Sequence, residues 1–297
     1  MRAAITGSSG FIGSALLSEL ALAGHQVVRV VRREARGPDA IRWDPETGTI
    51  EAEKLEGLDA VIHLAGESIV GRWTPSKKAG IQDSRRRGTR LLAETLASLA
   101  RRPRVLIAAS AIGYYGDRGD ERLTEQSPPG TGFLPDVCRE WEQAAQPVTS
   151  AGIRLVHLRI GVVLSPRGGA LAKMLPPFRL GLGGILGTGR QHWSWVALGD
   201  VTGAIQHALI TDSVRGPVNV VSPNPATNAE FTRALGRVLR RPTIFPVPAF
   251  AARLLMGEMA DALLLASARV EPTRLVESGY RFRYPELDAA LRHLLGR

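Results

Sequence analysis

The chain has 297 residues, of which 44% are apolar and 22% are charged, and its formal net charge is +10. The single cysteine, Cys138, excludes an intramolecular disulfide, so we expect a reducing, cytoplasmic compartment. No apolar run is long enough to span a membrane, and the scattered arginines are accompanied by few aromatic residues. We therefore expect neither a membrane nor a nucleic-acid partner.

Residues 1–163 alternate short apolar strands with helices. Strands are predicted at RAAIT, VVRVV, DAVIHLAG, RVLIAAS and IRLVHLRI. Helices are predicted over residues 11–23, 75–100 and 132–145, where apolar residues recur at helical spacing. This alternation is typical of βαβ units and predicts an α/β fold with a Rossmann-like, doubly wound parallel sheet.

The pattern changes after Gly161, where glycine and proline become frequent. HWSWVAL and PVNVV are predicted strands, and the tail from Pro246 is predicted to be mostly helical. Asp200 is predicted to cap one helix, and Thr227 or Asn228 another.

These patterns predict two parts. A nucleotide-binding domain covers residues 1–163, and later segments around residues 193–222 return to it. A smaller C-terminal, substrate-binding part covers residues 164–297.

The stretch TGSSGFIG joins the first strand to the first helix and predicts a dinucleotide loop. Gly7 permits a tight turn, Gly10 permits close approach of the backbone to a pyrophosphate, and Gly13 permits the helix to pack on the strand. The N–H groups at the start of the helix would face the phosphates. The predicted cofactor residues here are Gly7, Ser8, Ser9, Gly10, Phe11, Ile12 and Gly13. The alternative is a tight turn without a ligand.

The end of the second strand indicates which dinucleotide is bound. NAD-binding folds usually carry an acidic residue there, which holds the ribose 2′-hydroxyl. This chain has Arg32 and Arg33 instead, and two cations suit a 2′-phosphate. We therefore predict NADP(H) as the cofactor, although exposed arginines without a ligand are an alternative.

Several longer stretches carry a resemblance to a known family. They are ITGSSGFIG, RWDP, AVIHLAGE, SRRRGTRLL, SAIGYYG, VCREWE, LRIGVVLSPRGGAL, LPPFRLGLGG, GRQHWSWV, NPATNAEF and SGYRFRYPELDAAL. The chain resembles the extended short-chain dehydrogenase/reductase superfamily. Within it, the chain resembles the atypical branch of "epimerase family proteins" with a distinctive C-terminal module.

The resemblance implies further cofactor contacts and a catalytic serine. His63, Leu64, Ala65 and Gly66 would lie on the adenosine side of the cofactor, Arg85 near the pyrophosphate, and Ile160 near the nicotinamide. Ser110 matches the serine that hydrogen-bonds a substrate oxygen, although another alignment places Ala111 there.

The tyrosine and lysine of the superfamily are missing from this chain. They lie four residues apart on one helix, and Cys138 and Glu142 occupy their positions. A carboxylate beside a thiol disfavours the thiolate, so this pair cannot act as the usual dyad. Tyr114 or Tyr115 could supply the proton instead, or Glu142 could carry it, or this helix has no chemical role.

The glycine- and proline-rich region is the expected substrate side. Lys173, Arg179, Arg190 and His192 could bind an anionic group. Trp193 and Trp195 could pack a ring, or could form one buried strand face. The histidines show no metal-ligand spacing, and we expect no metal.

Together these observations predict an NADP(H)-dependent oxidoreductase that transfers hydride on a small, anionic carbonyl or alcohol. One alternative is a non-catalytic NADP(H)-binding sensor or scaffold, and a second is a nucleotide-sugar epimerase or dehydratase. The resemblance is also compatible with a homodimer.

Overall fold

The computed structural model describes residues 1–32, residue 37 and residues 39–297. The prediction for Arg33 therefore lies outside the described residues. The strands are β1 (Arg2–Thr6), β2 (Gln26–Val31), β3 (Ala40–Asp44), β4 (Thr49–Ile50), β5 (Ala60–His63), β6 (Val105–Ala111), β7 (Arg122–Leu123), β8 (Arg154–Ile160), β9 (Val162–Ser165), β10 (His192–Trp193), β11 (Trp195–Ala197), β12 (Gly216–Val220), β13 (Ala226–Thr227) and β14 (Arg269–Val270).

The helices alternate with these strands and then fill the tail. They are α1 (Phe11–Leu22), α2 (Pro75–Ser98), α3 (Phe133–Ala144), α4 (Pro147–Ser150), α5 (Gly169–Arg179), α6 (Leu198–Ile210), α7 (Asn228–Leu239), α8 (Ala249–Met256), α9 (Glu258–Ala260), α10 (Thr273–Glu277) and α11 (Leu287–Leu294). A 3₁₀ turn at Ile112–Tyr115 follows β6.

One large sheet forms the centre, with strand order β12-β8-β6-β5-β1-β2-β3-β4. Its neighbours are parallel, apart from the antiparallel pair β3 and β4. This arrangement confirms the predicted α/β, Rossmann-like fold. β12 comes from the late segment that was expected to return to the sheet, whereas the domain boundary itself stays a prediction.

Apolar residues cover both faces of the sheet. Ala3 and Ile5 of β1 pack with α1 and α6 on one face. Ala4 points to the other face and packs with α2. Because successive side chains of a strand point to opposite faces, both sides of a doubly wound sheet need such a layer. Within the described residues, no helix is long and apolar enough to cross a membrane.

The predicted strand HWSWVAL is two strands. β10 pairs with β13, whereas β11 pairs with β9. The chain changes partner at Ser194, whose hydroxyl donates to the Ala268 carbonyl and accepts from the Val270 N–H. Trp193 and Trp195 are both buried in one apolar cluster, as expected, but they belong to different strands and do not form one strand face.

Asp200 does not cap α6, and that prediction is wrong. The residue at the N-cap is Ala197, and Asp200 lies within the first turn. The carboxylate of Asp200 instead accepts hydrogen bonds from the N–H groups of Arg283 (2.7 Å) and Tyr284 (3.0 Å) and from the Tyr280 hydroxyl (3.1 Å). It therefore ties the C-terminal tail to α6, which packs on the central sheet.

We expect Asp200→Ala to lower the free energy of unfolding by about 3 kcal/mol, because three donors lose their acceptor in a buried place. Asp288→Ala is the matched control. Asp288 is half-exposed and pairs with Arg237 on the surface, so its loss should change stability by less than about 1 kcal/mol. Urea unfolding of both variants measures the difference, and equal effects would contradict the role given to Asp200.

Candidate functional site

The glycine loop has the geometry of a dinucleotide cradle. Gly7 has φ +67°, and an added Cβ would lie 2.8 Å from the Leu64 carbonyl carbon. An added Cβ at Gly13 would overlap the Gly7 carbonyl oxygen. The predicted tight turn and close packing are therefore confirmed. No side chain caps α1, so the N–H groups of its first turn are left for an anion.

Thr6 and His63 shape the neighbouring turn, which carries the HLAG stretch. The Thr6 hydroxyl accepts from the N–H groups of Leu64 (3.1 Å) and Ala65 (3.2 Å), so it donates to His63 Nδ1 at 2.7 Å. His63 Nε2 then donates to the Thr89 hydroxyl at 2.9 Å. Burial lowers the pKa of His63 to about 4, which keeps the ring neutral.

His63 therefore holds the turn and does not face a ligand. Its side chain is completely buried between two threonines. This burial does not favour a cofactor contact by the His63 side chain, and the cofactor role of His63 stays a prediction. Leu64, Ala65 and Gly66 are better placed, because all three are partly exposed or border the glycine loop.

The other expected cofactor residues also follow the carboxyl ends of parallel strands. Arg32 is exposed directly after β2, and Ile160 ends β8. Arg85 on α2 donates to the carbonyls of Glu67 and Ile81, each at 3.0 Å, and its guanidinium lies 4.8 Å from the ring centre of Trp141. Parallel strands present their carboxyl ends at one edge, which is where such folds bind ligands.

Glu142 lies at the position of the missing lysine and is held by Arg159. Arg159 Nε donates to Glu142 Oε1 at 2.8 Å, and Nη2 donates to Oε2 at 2.9 Å. The Ser110 hydroxyl also donates to Glu142 Oε1, at 2.8 Å. The Glu142 side chain is only 12% exposed. The carboxylate thus anchors Arg159 and Ser110, and this does not favour Glu142 as a proton carrier.

Tyr115 belongs to the same buried network. Its hydroxyl donates to Asn219 Oδ1 at 2.7 Å and accepts from Arg159 Nη1 at 3.0 Å. Burial, which outweighs the nearby Arg159, raises the pKa of Tyr115 to about 12. With no exposed surface and both hydrogen bonds in use, Tyr115 is not placed to donate a proton to a substrate. The structure therefore does not favour the expected catalytic role of Tyr115, which stays a prediction.

Tyr114 is the partly exposed member of the pair. The Arg159 guanidinium carbon lies 3.4 Å from the Tyr114 ring centre, and the Tyr115 ring packs edge-on against it. The Tyr114 hydroxyl has no hydrogen-bond partner within the described part of the chain. A fixed ring with an uncommitted hydroxyl is available to a ligand.

Cys138 lies at the position of the missing tyrosine and is buried. Burial, and after it the Glu142 carboxylate, raises the pKa of the Cys138 thiol to about 12. The sequence predicted an effect of the carboxylate, and the structure shows that burial is the larger cause. Cys138 therefore remains a neutral thiol near pH 7.

The four basic residues expected on the substrate side do not share one cavity. His192 lines a cleft of about 410 Å³ with Arg122, Asn224 and Arg269, but the other three do not line it. The other three, Lys173, Arg179 and Arg190, are exposed at separate positions. The structure thus adds no support for an anion site made of these four.

Two family descriptions match the chain. The NAD dependent epimerase/dehydratase family matches residues 3–221, and a domain of unknown function (DUF1731) matches residues 247–294.

The chain belongs to the NAD-dependent epimerase/dehydratase family.

Relatives span almost the whole length of this family member. Epimerase family protein Mb2239 of Mycobacterium bovis is 43% identical, over 97% of this chain and 95% of the relative. A crystal structure of human epimerase family protein SDR39U1 with NADPH is 36% identical, covers 100% of both chains and has a TM-score of 0.91. A nucleoside-diphosphate sugar epimerase from Corynebacterium glutamicum is 38% identical with a TM-score of 0.83, covering 100% of this chain and 58% of that chain.

These matches confirm the resemblance to epimerase family proteins. The residue that sequence reasoning missed in this epimerase-family chain is Arg159. Its signal was available, because a charged residue near the end of a strand that is covered on both faces is unusual and needs a partner.

We expect Cys138 of this epimerase-family protein to resist a thiol reagent in the native state. The thiolate is the reactive form, and a buried thiol with a pKa of about 12 supplies almost none at pH 8. Labelling with a chromogenic disulfide measures this, with protein unfolded in guanidinium as the control. Fast labelling of the native protein would contradict the placement of Cys138.

Proposed function

We propose that the chain is an NADP(H)-dependent oxidoreductase that transfers hydride between the cofactor and a carbonyl or alcohol substrate. The observation that carries the proposal is the ordered, partly exposed Tyr114 stacked on Arg159. Tyr114 follows β6, whose carboxyl end lies at the same edge of the sheet as the glycine loop after β1. A proton donor and a dinucleotide cradle at one edge suit this reaction.

Several features support NADP(H) as the cofactor. The glycine loop and the uncapped start of α1 fit a pyrophosphate. Arg32, exposed after β2, suits a 2′-phosphate, and Arg85 supplies a cation near Gly66. The human relative crystallised with NADPH supports the same choice. When bound, the nicotinamide supplies or accepts the hydride.

The residues of the chain then have distinct roles. Tyr114 gives a proton to the substrate oxygen during reduction and takes it back during oxidation. The Arg159 guanidinium stabilises negative charge that develops on the Tyr114 oxygen. Ser110 is only 3% exposed and gives its own hydrogen to Glu142, so the contact expected between Ser110 and a substrate oxygen stays a prediction. The anionic character expected of the substrate stays a prediction from sequence.

A second candidate is a non-catalytic NADP(H)-binding sensor. The buried, neutral Cys138 and the Glu142 carboxylate paired with Arg159 favour it, because neither residue at the dyad positions is placed to transfer a proton. Sugar-nucleotide epimerisation has the support of the relative from Corynebacterium glutamicum, which bears that name. Turnover by the wild type, measured below, separates the first two candidates.

We expect Gly13→Ala to weaken NADPH binding by at least about tenfold, because the added Cβ forces the Gly7 carbonyl out of the cradle. Gly199→Ala in α6 is the matched control, since its added Cβ meets only side chains at 3.8 Å. Fluorescence titration with NADPH measures both, and circular dichroism checks that each variant is folded. Unchanged affinity in folded Gly13→Ala would contradict the cradle.

We expect Tyr114→Phe to lower kcat for NADPH-dependent reduction of carbonyl compounds by roughly a hundredfold or more, because the proton donor is lost. NADPH affinity should stay unchanged. Tyr115→Phe is the control: it removes a buried hydrogen bond to Asn219 and should lower stability more than it lowers kcat. Turnover is followed as NADPH oxidation across a carbonyl panel. No turnover by the wild type would support the non-catalytic sensor function. Full activity of Tyr114→Phe would show that another group donates the proton.

A further inference from the structure

Exposed large apolar side chains cluster in the C-terminal part of the chain. Seven of the eleven such side chains among the described residues lie in two short segments and one helix. They are Leu180, Leu182, Ile244, Phe245, Phe250, Leu254 and Leu255. We call these seven side chains the apolar strip. A patch of this kind marks a surface that meets a partner or a membrane.

The two short segments of the apolar strip, around residues 180–187 and 244–247, run side by side. The Val247 N–H donates to the Ile185 carbonyl at 2.8 Å, and the Gly187 N–H donates to the Val247 carbonyl at 2.9 Å. Gly184 lies so close to the Phe245 carbonyl that an added Cβ would overlap it. Helix α8 begins at Ala249, two residues after Val247, so Phe250, Leu254 and Leu255 follow directly on the segment that carries Ile244 and Phe245.

Arginines border the apolar strip. An open cleft of about 470 Å³ at the end of α7 is lined by Arg233, Arg237, Arg240 and Arg241. Arg179 joins this group, because its carbonyl accepts from Arg241 Nε at 2.8 Å. No Asp or Glu occurs in residues 143–199 or in residues 231–257, so the segments that carry the strip bring no negative charge of their own.

Most of this positive charge has no counter-ion. Among the described residues, Arg237 pairs with Asp288, whereas Arg233, Arg240 and Arg241 have no carboxylate within ion-pair distance. Arg240 has φ 55°, and it is the only described non-glycine residue with positive φ. Arg240 ends α7 in this left-handed conformation, and its side chain is exposed.

We propose that this face binds the surface of a membrane that contains anionic lipids. The apolar strip enters the boundary between the headgroups and the acyl chains, and the bordering arginines contact the anionic headgroups. The contact is peripheral and needs no helix that spans the membrane, and the proposal replaces the expectation from sequence that the chain has no membrane partner.

Shape and charge favour a lipid surface over a protein occupant. Leu254 and Leu255 are each 83% exposed, so they protrude from the surface. A protein partner would need a matching hollow for each side chain, whereas the lipid boundary adapts to protruding groups. A second copy in two-fold contact would place these arginines against one another, which is repulsive.

Sedimentation of the full-length protein with vesicles tests the proposal. Vesicles of phosphatidylcholine alone are compared with vesicles made of equal parts of phosphatidylcholine and phosphatidylglycerol. We expect sedimentation with the anionic vesicles, weakened by high salt, and little with the neutral ones. Protein that stays in the supernatant with both vesicles overturns the proposal.

The apolar contribution is tested with Leu254→Ser/Leu255→Ser, which should bind anionic vesicles at least about tenfold more weakly. The matched control is Leu22→Ser/Ile210→Ser. These two side chains are 88% and 72% exposed but lie outside the strip, so the control should bind like the wild type. Equal binding by both double variants would overturn the proposal. The proposal would also be overturned if the wild type did not bind vesicles but formed a dimer in ultracentrifugation, and if Leu254→Ser/Leu255→Ser abolished that dimer.

The basic contribution is tested with Arg233→Gln/Arg240→Gln, which should bind anionic vesicles roughly thirtyfold more weakly. The control Arg101→Gln/Arg104→Gln removes the same charge from side chains that are 78% and 69% exposed beside the start of β6. NADPH binding should be unchanged in all four double variants. If the arginine variant and its control lose the same affinity for anionic vesicles, net charge alone explains the binding. That result would overturn the assignment of binding to this face.

Discussion

The ion pair between the Arg159 guanidinium and the Glu142 carboxylate is the contact on which the candidate site depends. Their side chains are 4% and 12% exposed, and two parallel hydrogen bonds join them. Removing one partner of such a pair costs about 3–5 kcal/mol, because the other charge stays buried and unpaired. The pair connects β8 to α3, fixes Ser110 through Glu142, and reaches Asn219 of β12 through Tyr115.

The pair also accounts for the missing lysine. In the superfamily that the chain resembles, the helix carries the cation, whereas here the helix carries Glu142 and the strand carries Arg159. The cation of this site lies on the strand, and the carboxylate on the helix neutralises it. From there the guanidinium lies 3.4 Å from the centre of the Tyr114 ring. Arg159 and Tyr114, the proposed proton donor, are therefore packed directly against each other.

The sequence predicted those features of the structure that depend on a short stretch of residues. The parallel sheet, the Gly7 turn and the Thr227 cap follow from periodicity and from conformational needs of single residues. The break at Ser194 was missed because it depends on partners more than 70 residues away. The apolar strip was missed because its members are divided between two distant segments, and hydropathy along the chain detects only continuous runs.

Position 138 on α3 and the turn that carries Tyr114 are packed against each other. The 3₁₀ turn that carries Tyr114 lies on the face of α3. An added Cβ at Gly113 would lie 3.4 Å from Leu134 Cβ and 3.8 Å from Cys138 Sγ. A phenol ring at position 138 would need the volume that this turn now occupies, since protein interiors are close-packed. The small, buried Cys138 therefore makes room for the turn, and the turn brings Tyr114 to the guanidinium of Arg159.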